Sequence, residues 1–321
     1  MTKSALIFGV NGQDGYYLGK LLAGRGYSVA GAGTSAQPNA DVAEFLASYH
    51  KCDIADAKAV ARLLEKSRPD EIYNLAFFLS VEWGEIDEAK ARAVNVGGVK
   101  NIINAMKAHA RDARLFQAST GYIFKPSMEK KNEKSPIGPY NDYAKSKWDA
   151  HLEVQAARKD GLFAANGILF THESPRHPPK FLMPKVALAA AEFAAGIRRD
   201  PLPLGDLRPI RDIGFAGDYA EAMHLMMEAE TPQDYVIATG IGHPMRDVCE
   251  QAFAEVGMDY RKCVTSEPEL VRRQEVDYLV GDPAKIKSEL GWSARTSFEQ
   301  LVKMMVQSCL EKLDSARKPK K

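Results

Sequence analysis

The sequence predicts an α/β protein, with a doubly wound parallel sheet followed by a smaller C-terminal α/β lobe. Short apolar runs alternate with helical segments up to about Thr171, as right-handed strand–helix–strand crossovers require. A turn containing three glycines follows the first run. Beyond Thr171 the alternation weakens and prolines cluster within 172–180 and 199–212, as connections around a second lobe would need.

Each element has its own signal in the sequence. Strands are predicted at short apolar runs bounded by glycine or polar residues, and helices where apolar residues recur every three or four positions. The predicted strands of the first part are 5–9, 27–33, 49–54, 70–76, 114–119 and 162–170, and its helices are 13–26, 56–67, 85–110 and 141–160. In the second part, helices are predicted at 181–197 and 297–313, and strands at 234–240 and 276–282.

Composition and charge narrow the class of protein. The chain has 321 residues, 45% of them hydrophobic, and a formal charge of +1, which gives no electrostatic case for nucleic acid or an anionic membrane. No apolar run approaches the ~18 residues that span a bilayer, and the N-terminus runs straight into a strand without a signal-peptide pattern. Cys52, Cys249, Cys263 and Cys309 lack metal-ligand spacing. We expect a cytoplasmic protein without a metal site.

The segment GVNGQDG places Gly9, Gly12 and Gly15 between the first strand and the first helix. Glycines there allow a tight turn and a close approach to a pyrophosphate, which the N–H groups and dipole of the helix N-terminus then bind. We therefore predict an NAD(P)-binding Rossmann domain over 1–171 and a substrate lobe over 172–321, with segments around 211–240 returning to the first domain. Further predicted cofactor contacts are Asn11, Gln13, Asp14, Leu75 and Ala76.

The residues after the second strand bear on the choice between NAD and NADP. An acidic residue there would bind the ribose 2′-hydroxyl of NAD, and an arginine would bind the 2′-phosphate of NADP. The segment GAGTSAQ has neither, but Thr34 and Ser35 could hydrogen-bond a phosphate. The sequence slightly favours NADP, with Asp53 and Ile54 against the adenine.

Tyr143 and Lys147 lie four residues apart on a predicted helix, so both side chains project from the same face. A tyrosine is a poor acid or base near neutrality unless its pKa falls from about 10. A neighbouring ammonium and the positive charge of a nicotinamide would lower it. Thr120 or Ser119, at the end of the strand before this helix, would offer a hydroxyl to the substrate oxygen.

These motifs together resemble the extended short-chain dehydrogenase/reductases that act on nucleotide sugars, and most closely the GDP-mannose 4,6-dehydratase family. GVNGQDGYYL is similar to that family's opening, and QAST to its catalytic strand. NGILFTHESPR, LGDLRPIRDIG, DYAEAMHLMM, DYVIATG and EVDYLVGD are similar to its substrate-lobe segments. The resemblance runs nearly end to end.

The resemblance implies a GDP-sugar substrate and roles for individual residues in binding it. Arg211 would pair with the diphosphate, since a guanidinium fork suits phosphate oxygens. The other residues implied at the diphosphate or the ribose are Glu173, Arg176, Lys185, Arg272 and Glu275.

The sequence departs from the family at the catalytic strand. The dehydratases carry Ser-Thr-Ser-Glu, whose glutamate abstracts the C5 proton and protonates the leaving hydroxyl at C6. Here the stretch reads Ser119-Thr120-Gly121-Tyr122, and a phenol near its normal pKa is a feeble base. It resembles the Ser-Thr-Asp-Tyr-Val-Phe of sugar-nucleotide ketoreductases. The sugar side departs as well, because Thr171 replaces the asparagine before HESPR.

We therefore expect hydride chemistry at C4 of a GDP-linked hexose or heptose, as a dehydrogenase, reductase or epimerase. Two alternatives stay open. A 4,6-dehydratase could use another carboxylate, such as Glu82 or Glu85. A non-catalytic NAD(P)-binding regulator is the other, although such proteins usually lose the Tyr/Lys pair.

The resemblance also implies a homodimer joined by a four-helix bundle, built from helices around 85–109 and 140–159. Val94, Val99, Ile102 and Ile103 fit either that interface or burial on the sheet. The sequence alone does not separate the two.

Overall fold

The computed structural model describes residues 2–78, 87–270 and 276–317. The strands in this part of the chain are β1 (Ser4–Phe8), β2 (Ser28–Gly33), β3 (Ser48–Lys51), β4 (Glu71–Asn74), β5 (Arg114–Thr120), β6 (Phe163–Leu169), β7 (Thr171–Glu173), β8 (Leu202–Leu204), β9 (Ile210–Phe215), β10 (Tyr235–Ile237), β11 (Gly242–Pro244), β12 (Val264–Ser266) and β13 (Tyr278–Leu279). The helices are α1 (Gln13–Gly24), α2 (Ala40–Ala43), α3 (Ala57–Ser67), α4 (Glu88–Ala91), α5 (Gly98–His109), α6 (Asp142–Lys159), α7 (Leu182–Ala194), α8 (Ala216–Glu228), α9 (Met245–Ala254), α10 (Ala284–Leu290) and α11 (Phe298–Arg317).

Seven strands form a parallel sheet in the order β10-β6-β5-β4-β1-β2-β3. The order reverses direction between β1 and β4, which is the point where such sheets bind their ligands at the carboxyl ends of the strands. The predicted fold class is confirmed. The seventh strand, β10, comes from far along the chain and pairs with β6.

Helices cover both faces of the sheet, and each face has its own apolar core. On one face α1 and α8 pack on the sheet, with Leu18, Leu22 and Met223 fully buried. On the other face α3, α5 and α6 pack, with Leu64 and Ile102 fully buried. Strands buried on both sides read as continuous apolar runs, and this made them recognisable in the sequence.

The second lobe is built from short strands and three helices. β11, β9 and β13 form a small sheet that β7 extends, and β8 pairs with β12. Helices α7, α9 and α11 pack around a separate core that contains Val186, Phe253 and Leu301. Because β7 directly follows β6, the carboxyl edge of the main sheet faces this lobe.

Residues 88–109 form a helix interrupted by a π-helical turn, Arg92–Gly97. Such turns disturb the hydrogen-bond ladder and are frequent near functional sites. Within the turn, buried Asn95 accepts a hydrogen bond from the Phe78 N–H (2.8 Å) and donates one to the Ser146 hydroxyl (3.0 Å). Asn95 therefore joins the segment after β4 to helix α6.

The helices predicted to form the dimer interface bury most of their apolar residues on the sheet. Val99, Ile102 and Ile103 are each at most 5% exposed, which resolves the alternative left open by the sequence for these three positions. Across the described ranges, no helix combines the length and apolar character needed to cross a bilayer.

Candidate active site

The turn between β1 and α1 forms a cradle that a larger residue would fill. Gly9 adopts a φ of +81°, and a Cβ there would lie 2.9 Å from the Ala76 amide nitrogen. A Cβ on Gly15 would lie 2.5 Å from the Cα of Val10. Gly12 is the N-cap of α1 and brings no side chain over the first N–H groups. The residues present therefore fit a bound pyrophosphate.

The adenosine end of this cradle is lined by polar groups after β2. The Asn11 side chain accepts a hydrogen bond from the Asn39 N–H (2.9 Å), and the Tyr49 hydroxyl donates to the Ser35 carbonyl (3.0 Å). These bonds hold the segment that carries Thr34 and Ser35 beside the glycine turn. The Asp53 carboxylate accepts from the Ala55 N–H (2.9 Å), so it shapes its own turn.

The candidate acid/base pair projects from α6 toward the end of β5. Tyr143 lies close enough to Thr120 for that side chain to lower its pKa, and the Lys147 ammonium donates to the Ala118 carbonyl at 2.5 Å. Asn141 caps this helix by accepting from the Ala144 N–H at 2.8 Å. The structure thus brings the predicted tyrosine, lysine and threonine together at the carboxyl edge of the sheet.

Burial dominates the electrostatics of this pair. It lowers the pKa of Lys147 to about 8, against the attraction of the Asp14 carboxylate. Burial also raises the pKa of Tyr143, and Tyr122 adds to the rise while the Thr120 hydrogen bond opposes it. Since desolvation disfavours both charged forms, the lysine is easily neutralised and the phenol stays protonated without further positive charge.

Ser119 and Tyr122 take separate positions around Thr120. Ser119 points to the other face of the strand, where its hydroxyl lies 3.2 Å from Nδ1 of His151. Tyr122 stands in a single 3₁₀ turn capped by Thr120 and packs on Tyr140, with ring centroids 6.1 Å apart. Tyr122 therefore occupies the Thr120 side of the site, close enough to Tyr143 to influence its ionisation.

The residues implied at the diphosphate lie on β7, on β9 and near α7. Glu173 is buried and pairs with His177, whereas Arg176 pairs with Asp41 and lies over the Tyr16 ring. Arg211 is buried on β9 and donates to the Ile210 carbonyl, Lys185 is exposed on α7, and Thr171 begins β7. Arg272, Glu275, Glu82 and Glu85 lie outside the described residues.

Sequence reasoning missed a partly buried ion pair between the glycine turn and β7. Nε2 of His172 lies 2.9 Å from the Asp14 carboxylate, and Nδ1 lies 2.7 Å from the Phe170 carbonyl oxygen. Both ring nitrogens therefore face acceptors, which favours the imidazolium. Burial opposes its charge, but Asp14 outweighs burial and raises the pKa of His172 to about 8. The one sequence signal for His172 was its position in the HESPR segment, shortly after β6.

Phe77 was also missed. Its ring is 49% exposed, lies 6.3 Å from the Tyr143 ring centroid, and has the Lys147 ammonium 5.5 Å from its centre. A half-exposed aromatic ring beside the acid/base pair gives the site an apolar wall. Throughout the described ranges, no three His, Cys, Asp or Glu side chains are grouped as metal ligands.

Comparison with known proteins places this geometry in a family. A sequence model described as GDP-mannose 4,6 dehydratase matches residues 6–305. The chain is 38% identical to GDP-mannose 4,6 dehydratase 2 of Arabidopsis thaliana, covering 96% of this chain and 87% of the relative. It is 35% identical to GDP-mannose 4,6-dehydratase of Sinorhizobium fredii, covering 98% and 99% of the two chains.

Solved structures agree at the level of the fold. A UDP-glucose 4-epimerase of Thermus thermophilus in complex with NAD superposes with a TM-score of 0.83 at 25% identity, over 95% of this chain and 98% of that one. RMD from Pseudomonas aeruginosa complexed with NADPH gives 0.83 at 20% identity, over 97% and 100%. The glycine cradle, the Tyr143–Lys147 pair beside Thr120 and the end-to-end matches lead to one conclusion: this chain belongs to the GDP-mannose 4,6-dehydratase family of short-chain dehydrogenase/reductases, enzymes that act on nucleotide sugars.

Proposed function

We propose that this protein moves a hydride at C4 of a GDP-linked sugar, as a dehydrogenase, reductase or epimerase dependent on NAD(P). One observation carries the proposal: Tyr143 meets Thr120 beside Lys147, and a tyrosine follows Thr120 by two residues. Tyr143, Thr120 and Lys147 supply the groups that oxidation and reduction at C4 need. Tyr122 stands where a carboxylate would be expected for elimination.

In the proposed reaction, Thr120 and Tyr143 hold the C4 oxygen between their hydroxyls. Tyr143 takes the proton of the C4 hydroxyl during oxidation and returns it during reduction. The nicotinamide ring of a cofactor whose pyrophosphate is bound in the cradle would accept or supply the hydride. Because burial raises the pKa of Tyr143 in this structure, the proton transfer depends on positive charge from the Lys147 ammonium and the bound cofactor.

Dehydration is the second candidate, and the family match is the observation that favours it. Elimination needs a group that removes the C5 proton and protonates the C6 hydroxyl. Tyr122 stands at the family's glutamate position and is a phenol. A dehydratase reading therefore requires a different carboxylate, for which Glu82 and Glu85 remain candidates. The intact Tyr143–Lys147 pair argues against a non-catalytic regulator.

We further propose NADP as the preferred cofactor, with Thr34 and Ser35 at the 2′-phosphate. The support is that these residues offer hydroxyls and N–H groups directly after β2, in a segment that bonds between Tyr49 and Ser35 and between Asn39 and Asn11 hold in place. The similar solved structures carry NAD in one case and NADPH in another, so both cofactors are compatible with this fold. Fluorescence titration with NADPH and NADH is the direct comparison.

The test incubates the purified protein with GDP-hexoses and GDP-heptoses, and their 4-keto-6-deoxy forms, in deuterated water with each cofactor. Hydride transfer at C4 changes the cofactor absorbance at 340 nm or interconverts C4 epimers, and leaves C5 without solvent deuterium. Elimination instead places deuterium at C5. Conversion of GDP-mannose to a 4-keto-6-deoxy product at an ordinary enzymatic rate would overturn the main proposal in favour of dehydration.

A further inference from the structure

Helix α6 carries more than the acid/base pair on the face turned toward β5. Tyr143, Lys147, His151 and Gln155 recur every four residues, so they form one stripe along the helix. The first two reach the carboxyl edge of the sheet. His151 lies one turn deeper, is 3% exposed, and has no part in the proposed hydride chemistry.

His151 contacts β5, the strand that ends at Thr120. Successive side chains on a strand point to opposite faces, so Ser119 and Thr120 diverge. The Ser119 hydroxyl faces α6 and lies 3.2 Å from Nδ1 of His151, whereas Thr120 ends the strand and lies beside Tyr143 in the first turn of α6. The Trp148 ring stacks on His151 with centroids 5.0 Å apart and limits its rotation.

The second nitrogen of His151 is fixed by a carboxylate. Nε2 lies 3.2 Å from Asp234, which also accepts hydrogen bonds from Gln155 (2.9 Å), from the Asn166 N–H (3.0 Å) and from Arg158. Burial alone would raise the pKa of Asp234, but His151 and then Arg158 and Gln155 hold it below its usual value. Asp234 therefore stays ionised beside the imidazole.

The direction of each hydrogen bond depends on the tautomer of His151, because the Gln155 amide N–H lies 3.1 Å from Nε2 as well as 2.9 Å from Asp234. With the proton on Nε2, the ring donates to Asp234 and Nδ1 accepts from the Ser119 hydroxyl. With the proton on Nδ1, the ring donates to Ser119 and Nε2 accepts from Gln155. The chain Ser119–His151–Asp234 thus ties the end of β5 to α6 and to the residue before β10.

We propose that His151, held by Asp234, is a positioning residue that acts through Ser119 to place Thr120 against Tyr143. Ser119 is then not a substrate ligand, and Thr120 rather than Ser119 holds the C4 oxygen together with Tyr143. This inference rests on the proposed function. The sequence left Ser119 and Thr120 as alternatives for one role. The inference assigns the substrate contact to Thr120 and the contact with His151 to Ser119.

The central test is a set of variants compared by kcat, KM and cofactor Kd. Ser119→Ala and His151→Phe, which keeps the ring on Trp148, should each lower kcat about tenfold, the order expected when a reacting group is slightly misplaced. KM and the cofactor Kd should stay within about twofold, because uniform binding is untouched. The double variant should be no slower than either single variant. In a Thr120→Val background, His151→Phe should have no further effect on kcat.

His151→Asn keeps a polar group near the position of Nδ1 and should recover most of the kcat lost in His151→Phe. Arg158→Leu is the matched control, since it removes another partner of Asp234 on the same helix and the Arg158 side chain bonds to Asp234 and the Ala164 carbonyl. It should lower the Tm and leave kcat within about twofold. Additive losses for Ser119 and His151, or a raised KM with unchanged kcat in Ser119→Ala, would overturn the inference by making Ser119 a substrate contact.

Hydrogen exchange separates a failure of this inference from a failure of the proposed function. If the unmodified protein turns over no GDP-sugar, the function fails while the positioning role can still be measured. In the NADPH-bound protein, amides of residues 117–123 should exchange faster in Ser119→Ala and His151→Phe than in Arg158→Leu. Equal exchange in all three variants would refute the positioning role whatever the activity.

Discussion

In the proposed function, the choice between hydride transfer and elimination depends on Tyr122. Its 3₁₀ turn begins directly at Thr120, and its ring is braced by Tyr140. A glutamate in the same turn would carry a carboxylate toward the side of the site where Thr120 meets Tyr143. We therefore expect that replacing Tyr122 by glutamate would add the base that elimination needs.

We predict that Tyr122→Glu gains elimination activity. A positioned general base contributes about 10²- to 10⁴-fold, so incorporation of solvent deuterium at C5 should rise well above that of the unmodified protein. Mass spectrometry of the product in deuterated water measures it. Tyr122→Phe is the control and should incorporate none. If Tyr122→Glu adds nothing while the unmodified protein already incorporates deuterium, the base lies elsewhere.

The His172–Asp14 pair predicts how stability depends on pH. The folded-state pKa of His172 is raised from 6.5 to about 8, so its contribution is complete below pH 6.5 and is lost as pH rises through about 8. A shift of this size corresponds to about 2 kcal/mol in the free energy of unfolding. Urea unfolding of the cofactor-free protein between pH 6 and 8 should show the fall.

His172→Gln should flatten this dependence, whereas His50→Gln, whose parent histidine has a lowered pKa, should keep it. The measurement stops at about pH 8 because Lys147 acts in the opposite direction beyond it. Its folded-state pKa is lowered to about 8, so stability rises with pH between there and its unfolded value. A slope that survives in His172→Gln would assign the effect to another group.

At the scale of elements, helix α1 shows how two glycines in one helix can have opposite effects. Gly15 lies in the first turn of the helix, where a Cβ would come within 2.5 Å of the Val10 Cα, whereas nothing lies within 4 Å of a Cβ built on Gly24. The first glycine is required for the close approach of helix and turn. The second only loosens the end of the helix.

We predict that Gly15→Ala destabilises the protein and weakens cofactor binding, because the backbone at Gly9 and Val10 must shift to admit the methyl group. Gly24→Ala is the matched control in the same helix and should stabilise by up to about 1 kcal/mol. Urea unfolding and NADPH fluorescence titration measure the two effects. Similar changes in both variants would contradict the packing argument.

Local patterns predicted most of the long elements, because an element buried on both faces must be apolar at its own period. Asp56 was expected to open a helix, and its carboxylate caps α3 through the Lys58 and Ala59 N–H groups. The short strands β8, β9, β11 and β12 were not predicted. Strands of only three to six residues carry too few positions to reveal a period.

The site was predictable in the same uneven way. Tyr143 and Lys147 form a local pattern on one helix, and Thr120 ends the strand before it. Ser119 meets His151 from 32 positions away, and Asp14 meets His172 from 158. Such pairs depend on the tertiary fold, because neither residue is distinguished within its own segment.

At the scale of the whole molecule, the predicted dimer would form through the outer surface of residues 88–109 and helix α6. Ion pairs join Arg92 to Asp149 and Lys100 to Glu153 across it, and Leu152 between them is 42% exposed. If two copies pack these helices as a four-helix bundle, Leu152 lies in the joint. An apolar residue on a charged helix face would then be covered.

We predict that Leu152→Glu shifts a dimer to monomer, since a carboxylate in that joint would be desolvated. Light scattering after size exclusion gives the mass, and circular dichroism checks that the fold is kept. Ile197→Glu is the control, because Ile197 is 50% exposed in the second lobe and should leave the mass unchanged. A dimer that persists in Leu152→Glu would exclude this surface as the interface.

The late position of β10 in the chain has a consequence for synthesis. The edge of β6 that β10 covers is complete at Leu169, but β10 begins only at Tyr235. At about 5–20 residues per second, a ribosome leaves that edge unpaired for several seconds while residues 170–234 are made. An open strand edge invites pairing with another nascent chain. Yield in a cell should therefore depend on how fast this stretch is translated, and slow codons within it should cost soluble protein even though the finished sequence is unchanged.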